Sequence, residues 1–262
     1  MAEGDSVARI AARLDAATSG AVIVHSDVRH PRFATVDLAG QRILEWRARG
    51  KHLLSRTDAG VTVHSHLRMT GSWSVLRPHK RLPARVLPQL RIALRLDDGR
   101  TLVGVALPVL TVLRTSDEHA VVGHLGPDLL GPDTDSIAVA AARVAAAGGE
   151  AVVAALLDQR RVAGLGNMWA QELLFLHGVN PWRHAGGVDG LETLLTDARR
   201  RLRHAVRENP SQNTTGRRSP RHWVYGRARR PCLRCGTPIA FRPAERTSHG
   251  RETWWCPVCQ PD

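Results

Sequence analysis

The chain has 262 residues, 43% of them hydrophobic, and a formal net charge of +13 at pH 7. It is long enough for two domains with separate cores, and no apolar run approaches the ~18 residues that a membrane span needs. The opening MAEGDSVARI carries acids where a secretory signal would be basic, so a cytoplasmic protein acting on a polyanion is expected.

Asp5 is a good helix N-cap residue, and Val7, Ile10, Ala11 and Leu14 follow it at helical spacing until Gly20. From there to residue 115, short β-branched or alternating runs bounded by Gly, Pro or Asp predict strands over 21–25, 42–47, 61–67, 91–96 and 101–105. Asp97-Asp98-Gly99 between the last two is a hairpin signal. One helix followed by a β-sandwich or barrel is the reading. Residues 116–134, interrupted by Gly126-Pro127 and Gly131-Pro132, form a connection. Helical patterning then covers 137–147, 150–157, 167–177 and 191–207. The last helix sets Leu191, Leu194, Leu195, Ala198 and Leu202 along one face, which is core, and arginines along the other. A Gly/Arg/Ser-rich stretch over 209–220 precedes two short strands, 237–241 and 252–255, that would pair as a hairpin. The class is α+β.

All four cysteines lie near the end of the chain, as Cys232-x2-Cys235 and Cys256-x2-Cys259. Two such knuckles bring four thiolates to one tetrahedral zinc, and four protein ligands leave no open position, so the metal would be structural. Disulfides and unrelated buried thiols are the alternatives, but disulfides belong to oxidising compartments, and chance seldom sets four cysteines in two such pairs. From Arg199 to Asp262 there are fifteen arginines against Glu208, Glu245, Glu252 and Asp262, a net +11 of the chain's +13. A zinc-stapled module among arginines suits the phosphates of a nucleic acid; a solvated charged face is the alternative. The segment LLDQRRVAGLGN, residues 156–167, joins two helices through a double-glycine turn. Glycine lets backbone approach a ligand closely, and Asn167 opens the next helix, where N–H groups and the dipole favour a phosphate. Simple capping is the alternative there. His64 and His66 share a strand face without a third ligand, and are read as structural or facing the polyanion, not metal-binding.

Taken in order, AEGD at 2–5, RGKHLL at 49–54, HLRMTG at 66–71, LLDQRRVAGLGN, VYGR at 224–227, PCLRCGTPI and GRETWWCPVCQ resemble the Fpg/Nei family (formamidopyrimidine-DNA glycosylase and endonuclease VIII) over nearly the whole chain. The resemblance implies an N-terminal helix and β-sandwich catalytic domain with its linker over 1–130, a helical helix–two-turns–helix domain over 131–221, and a four-cysteine zinc-finger β-hairpin over 222–262. It implies that a damaged nucleotide is flipped from the duplex and that the N-terminal amine attacks its sugar C1′. After removal of Met1, that amine is on Ala2. An α-amine with a pKa near 8 leaves about a tenth unprotonated at pH 7. Glu3 would move protons at the sugar, and Lys51 would hold a phosphate and assist elimination. Asn167 and Arg251 would bind the flanking phosphates, Arg251 also joining the last elimination. Met69, unbranched and adaptable, would fill the hole left by the flipped base. Cys232, Cys235, Cys256 and Cys259 would hold one structural Zn2+. The expected partner is damaged double-stranded DNA, or abasic or single-stranded DNA, bound by a monomer without a membrane.

The chain departs from the family at Ala2, where proline is usual. A primary amine still forms a Schiff base, but a damage-binding protein that has lost its chemistry is the alternative. A transcriptional zinc module would need a base-reading helix, and none is found. The segment between Asn213 and Tyr225 is short, without the lesion-covering loop of the 8-oxoguanine branch. That implies the endonuclease VIII branch and oxidised pyrimidines. The partner residues of the Met69 wedge are not legible.

Overall fold

The computed structural model describes residues 2–132, 136–208 and 212–262. Met1, residues 133–135 at and just beyond the end of the first predicted connection, and residues 209–211 at the start of the second, lie outside the described residues. Contacts gather the chain into two compact units. Residue 2 and residues 6–124 form one; residues 3–5 and 125–262 form the other.

In the first unit, helix α1 (Gly4–Thr18, its first two residues counted with the second unit) precedes eight strands. These are β1 (Ile23–Val28), β2 (Ile43–Arg49), β3 (His52–Thr57), β4 (Val61–His66), β5 (Ser72–Leu76), β6 (Leu90–Leu96), β7 (Thr101–Val105) and β8 (Val109–Arg114). They form two four-stranded antiparallel sheets, ordered β1-β6-β7-β5 and β2-β3-β4-β8, so the sandwich is as expected. Strand β6 shows why: Leu90, Ile92, Leu94 and Leu96 point inward while Arg91, Ala93 and Arg95 alternate outward. Val7, Ala11 and Leu14 of α1 share that core with Trp46, Leu53, Trp73, Ile92 and Leu102. Trp46 and Trp73 meet edge to face at 5.1 Å, and Trp46 Nε1 donates to Thr18 Oγ1 at 3.0 Å, tying α1 to β2. The predicted hairpin at Asp97–Gly99 is present between β6 and β7, with Gly99 at φ +83.

Strands β3, β5 and β8 were not predicted. The run Leu53-Leu54-Ser55 of β3 is buried throughout, so it lacks the alternation that marks a half-exposed strand. Only Gly50 and Lys51 separate it from β2, with Arg49 opposite His52. The first unit ends with a short helix α2 (His119–Val122) inside the predicted connection.

The second unit holds α3 (Ser136–Ala145), α4 (Val152–Leu157), α5 (Asn167–Leu176), α6 (Leu191–Arg207) and a hairpin of β9 (Ala240–Arg242) and β10 (Thr253–Trp255). Every residue of α5 from Asn167 to Phe175 is buried, so α5 is the central post. Val152, Leu156, Leu173, Leu194, Leu195 and Leu202 pack in the core around it. A smaller core joins Phe175 to Val224, Cys232, Ile239, Trp254 and Cys256. The apolar stripe of α6 is core as expected, but the arginines opposite are not all solvated. Arg199 is buried, donating through Nε to the Leu129 carbonyl at 3.0 Å and through Nη2 to Ser136 Oγ at 2.9 Å. Asp5 is also corrected. It lies in the first turn of α1, not at its cap, and is fully buried, accepting from Trp169 Nε1 at 3.1 Å and Gln212 Nε2 at 2.8 Å. Among the described residues, no helix is long and apolar enough to cross a membrane.

Candidate active site

In the first unit, Lys51 stands at the tip of the tight β2–β3 hairpin, half-buried. His52 begins β3 opposite His66, the last residue of β4. Lys51 and the loop after His66 therefore leave the sheet at the same end. That loop is a tight turn: Gly71 N–H donates to the Leu67 carbonyl at 2.8 Å, and a Cβ on Gly71 would meet that carbonyl at 2.8 Å. Arg68 adopts φ +47, and Met69 is left 67% exposed at the crest. Met69 therefore lies outside the core of this unit, in the loop that follows β4. Ala2, half-buried, packs on the core of this unit.

The two histidines noted on β4 belong to a larger group. His52 Nδ1 and His64 Nε2 lie 2.8 Å apart, within hydrogen-bond distance; His66 meets the His52 ring edge-on at 4.8 Å. Burial, then the charges of its histidine neighbours and Lys51, push the His52 pKa down to about 3. Burial, then His66, lowers His64 to about 4. His64 is 3% exposed, which supports its structural reading.

In the second unit, two predicted residues, Glu3 and Asn167, meet at the start of α5. Glu3 is fully buried, and its carboxylate accepts the N–H groups of Gly166 at 3.1 Å, Met168 at 2.9 Å and Trp169 at 3.4 Å. The positive end of α5 thus faces the chain's own carboxylate. Among the described residues, the close approach that the double-glycine turn allows is made by the chain's own residues. A Cβ on Gly166 would lie 2.3 Å from Glu3 Cδ, and one on Gly4 would lie 2.8 Å from Gly164 Cα. The glycines admit residues 3 and 4 to the start of α5.

Asn167 follows at the first position of α5 and is 6% exposed. Its Nδ2 donates to the Glu252 carbonyl at 2.9 Å. Arg251, the neighbour of Glu252 in the β9–β10 loop, is exposed, with its N–H donating to Thr247 Oγ1 at 3.0 Å. Glu3, Asn167 and the backbone that bears Arg251 therefore meet around the start of one helix. Tyr225 joins them: burial first, then the Glu3 and Glu252 carboxylates, raise its pKa.

Two residues of α5 escaped the sequence reading. Gln171 bridges Asn167 to β10, and Glu172, fully buried, accepts the N–H groups of Trp223 and Val224 at 2.8 Å and Tyr225 at 2.9 Å, besides the Thr214 hydroxyl. The available signal was their spacing: Asn167, Gln171 and Glu172 are the polar interruptions of the otherwise apolar run NMWAQELLFL.

The four cysteine sulfurs all lie within 4.8 Å of one another. Cys232 Sγ and Cys259 Sγ are 3.9 Å apart, and Cys235 Sγ and Cys256 Sγ 3.4 Å. Tetrahedral zinc with 2.3 Å bonds to sulfur sets its ligands about 3.8 Å apart. The cluster fits a metal ion, and no other such group of His, Cys, Asp or Glu occurs among the described residues.

Residues 1–106 match the formamidopyrimidine-DNA glycosylase N-terminal domain, and residues 125–216 match the formamidopyrimidine-DNA glycosylase H2TH domain. The chain belongs to the Fpg/Nei family of DNA glycosylases. It is 49% identical over 262 residues to a probable endonuclease 8 2 of Streptomyces coelicolor, covering 99% of this chain and 94% of that one. It is 41% identical to the DNA-(apurinic or apyrimidinic site) lyase Nei2 of Mycolicibacterium smegmatis, covering 99% of each. Among solved structures, the MutM (Fpg) protein of Thermus thermophilus superposes with a TM-score of 0.78 at 32% identity, over 99% of both chains. A Lactococcus lactis formamidopyrimidine-DNA glycosylase non-covalently bound to DNA containing an abasic site shares the fold, with a TM-score of 0.81 at 23% identity, over 99% of this chain and 100% of that one.

Proposed function

We propose that this chain is a base-excision DNA glycosylase with abasic-site lyase activity, acting through the amine of Ala2 once Met1 is removed. The amine nitrogen attacks C1′ of an extruded nucleotide, and the N–C1′ bond forms as the glycosidic bond breaks. The base leaves with the bonding electrons and takes up a proton. Opening of the sugar ring gives an iminium, which acts as an electron sink. Loss of a C2′ proton then expels the 3′ phosphate and cuts the strand. No oxidant or reductant enters. The observation that carries this reading is the burial of Glu3, the residue after Ala2, at the start of α5 beside Asn167. A carboxylate held there serves as proton carrier for the neighbouring amine and sugar. Lys51, Asn167 and Arg251 bind the phosphates around the lesion, Arg251 also assisting the final elimination, and Met69 fills the vacated stack.

One zinc ion held by Cys232, Cys235, Cys256 and Cys259 is structural in this reading and fixes the hairpin that bears Arg251. Residues 1–130, 131–221 and 222–262 act as sandwich, helical and zinc-finger segments. The substrates we favour are oxidised pyrimidines. The segment between Asn213 and Tyr225 is pinned from within, with Thr214 and Thr215 N–H donating to the Arg221 carbonyl at 2.9 and 3.2 Å and Glu172 gripping residues 223–225. So short and tethered a segment supports a site without a lesion-covering flap.

Sodium borohydride with a duplex containing an abasic site should crosslink the protein to DNA, and peptide mapping should find the adduct on residue 2. Intact binding without a crosslink would instead establish the impaired damage-binding protein. A panel of thymine glycol, dihydrouracil and 8-oxoguanine duplexes then ranks lesions; preference for 8-oxoguanine would refute the pyrimidine assignment.

A further inference from the structure

Gln171 is 1% exposed in the middle of the central helix of its unit. Its carboxamide is used on both sides. Nε2 donates to Asn167 Oδ1 at 2.8 Å and to the Glu252 carbonyl at 2.6 Å, and Oε1 accepts the Trp254 N–H at 2.6 Å. The carbonyl of residue 252 and the N–H of residue 254 project from the same edge of an extended strand. Gln171 meets both, as a neighbouring strand would. It therefore sets the register of β10 against α5 with one side chain.

The same carboxamide fixes Asn167. The Asn167 oxygen faces Gln171 Nε2 and its nitrogen faces the Glu252 carbonyl. A half-turn of the Asn167 amide would set oxygen against oxygen and nitrogen against nitrogen. One side chain thus orients Asn167 and, through Glu252, fixes the backbone immediately after Arg251.

We infer that Gln171 is a positioning residue for DNA-phosphate binding, which locks Asn167 and the base of Arg251 into one anion-binding edge. The inference rests on the proposed role of Asn167 and Arg251 as phosphate ligands. Glutamine suits the place because the position needs two donated hydrogens and one acceptor. Glutamate, of the same shape, would turn an oxygen toward two oxygens.

The test uses the full-length, zinc-loaded chain and a duplex carrying a stable abasic-site analogue. Gln171→Glu, Gln171→Ala, Asn167→Ala and Arg251→Ala are compared for zinc content and for binding across a salt series. Gln171→Glu is expected to keep its zinc yet bind about tenfold more weakly. Its slope of log affinity on log salt should fall by about 1, as for Arg251→Ala, because one phosphate contact is lost. The Q171E/R251A pair should lose clearly less than the sum of the single losses. A residue that only holds the fold together would shift stability and leave the slope alone. Wild-type affinity and slope in Q171E, with Asn167→Ala and Arg251→Ala both weakened, overturn the inference and leave the phosphate reading standing. Wild-type binding in Asn167→Ala and Arg251→Ala overturns both. Zinc lost from both Gln171 variants makes the residue structural, and the inference falls.

Discussion

Glu3 and Gly166 are in contact through a hydrogen bond from the Gly166 N–H to Glu3 Oε2 at 3.1 Å, with no space for a side chain between them. Even a methyl group on residue 166 would penetrate the Glu3 carboxyl carbon at 2.3 Å. Gly166→Ala should therefore displace Glu3 and cost about 1–3 kcal/mol of stability, as overpacking of a buried site does. Strand cutting at an abasic site should fall at least tenfold, as about 1.4 kcal/mol of lost transition-state stabilisation would give, while zinc content is unchanged. Full activity and stability in this variant would show that Glu3 need not be held there.

Glu172 makes a second prediction. Its two oxygens receive three consecutive backbone N–H groups and the Thr214 hydroxyl, in a place without water access. Gln at this position would turn an NH2 group toward some of those donors. Each buried N–H left unsatisfied costs about 1–3 kcal/mol, so Glu172→Gln should lower unfolding stability by about 2–3 kcal/mol. Urea unfolding followed by tryptophan fluorescence measures it. Thr214→Val removes only the hydroxyl and should cost less than Glu172→Gln. Equal losses would mean that the backbone clamp is not the main contribution.

Much of this organisation was legible in the sequence. The alternation in β6 and the stripe on α6 each dictate one buried face, and both elements appear where their periodicity places them. The paired C-x-x-C spacing likewise brought the four sulfurs together. What escaped has a common cause. Asp5, Gln171, Glu172 and Arg199 are polar residues buried by partners distant in sequence, and a pattern rule assigns polar side chains to caps or solvent. Asp5 looked like a cap because its type suits one; its partners, Trp169 and Gln212, lie more than 160 residues away. The glycines of GLGN were read correctly as sites of close approach, but the partner that approaches is Glu3, which no local rule supplies.

The metal cluster can be tested apart from catalysis. Strands β9 and β10 pair over only three residues each, far too few to hold a hairpin unaided. Cys232 and Cys256 lie in the small core with Phe175 and Trp254. Chelation should release one zinc per chain, open this hairpin and abolish DNA binding, since Arg251 and the Glu252 carbonyl leave their places. Fluorescence from Trp254 and Trp255 should change, while the sandwich, holding Trp46 and Trp73 in its own core, keeps its protection from proteolysis. Stoichiometric zinc release with unaltered DNA affinity would refute the structural role.

The histidine group predicts a pH dependence of stability whose sign is fixed by burial. His52 and His64 are hydrogen-bonded ring to ring, with His66, His124, Lys51 and Arg68 as the positively charged or chargeable neighbours of the group and Glu118 as the acid acting on His64. Their folded pKa values, about 3 and about 4, lie below the ordinary 6.5 that each regains on unfolding. The unfolded chain therefore binds protons first as pH falls. The stabilising contribution of the neutral pair is fully present above about pH 6.5 and declines between pH 6.5 and 3. Each proton taken up only by the unfolded chain contributes a slope of up to about 1.4 kcal/mol per pH unit. His64→Gln cannot charge, so it should flatten this slope near pH 5 while leaving the second unit unaffected. Unfolding measured at pH 7.5 and pH 5 in both proteins decides the point: an equal loss in wild type and variant would mean that the pair does not carry the acid sensitivity.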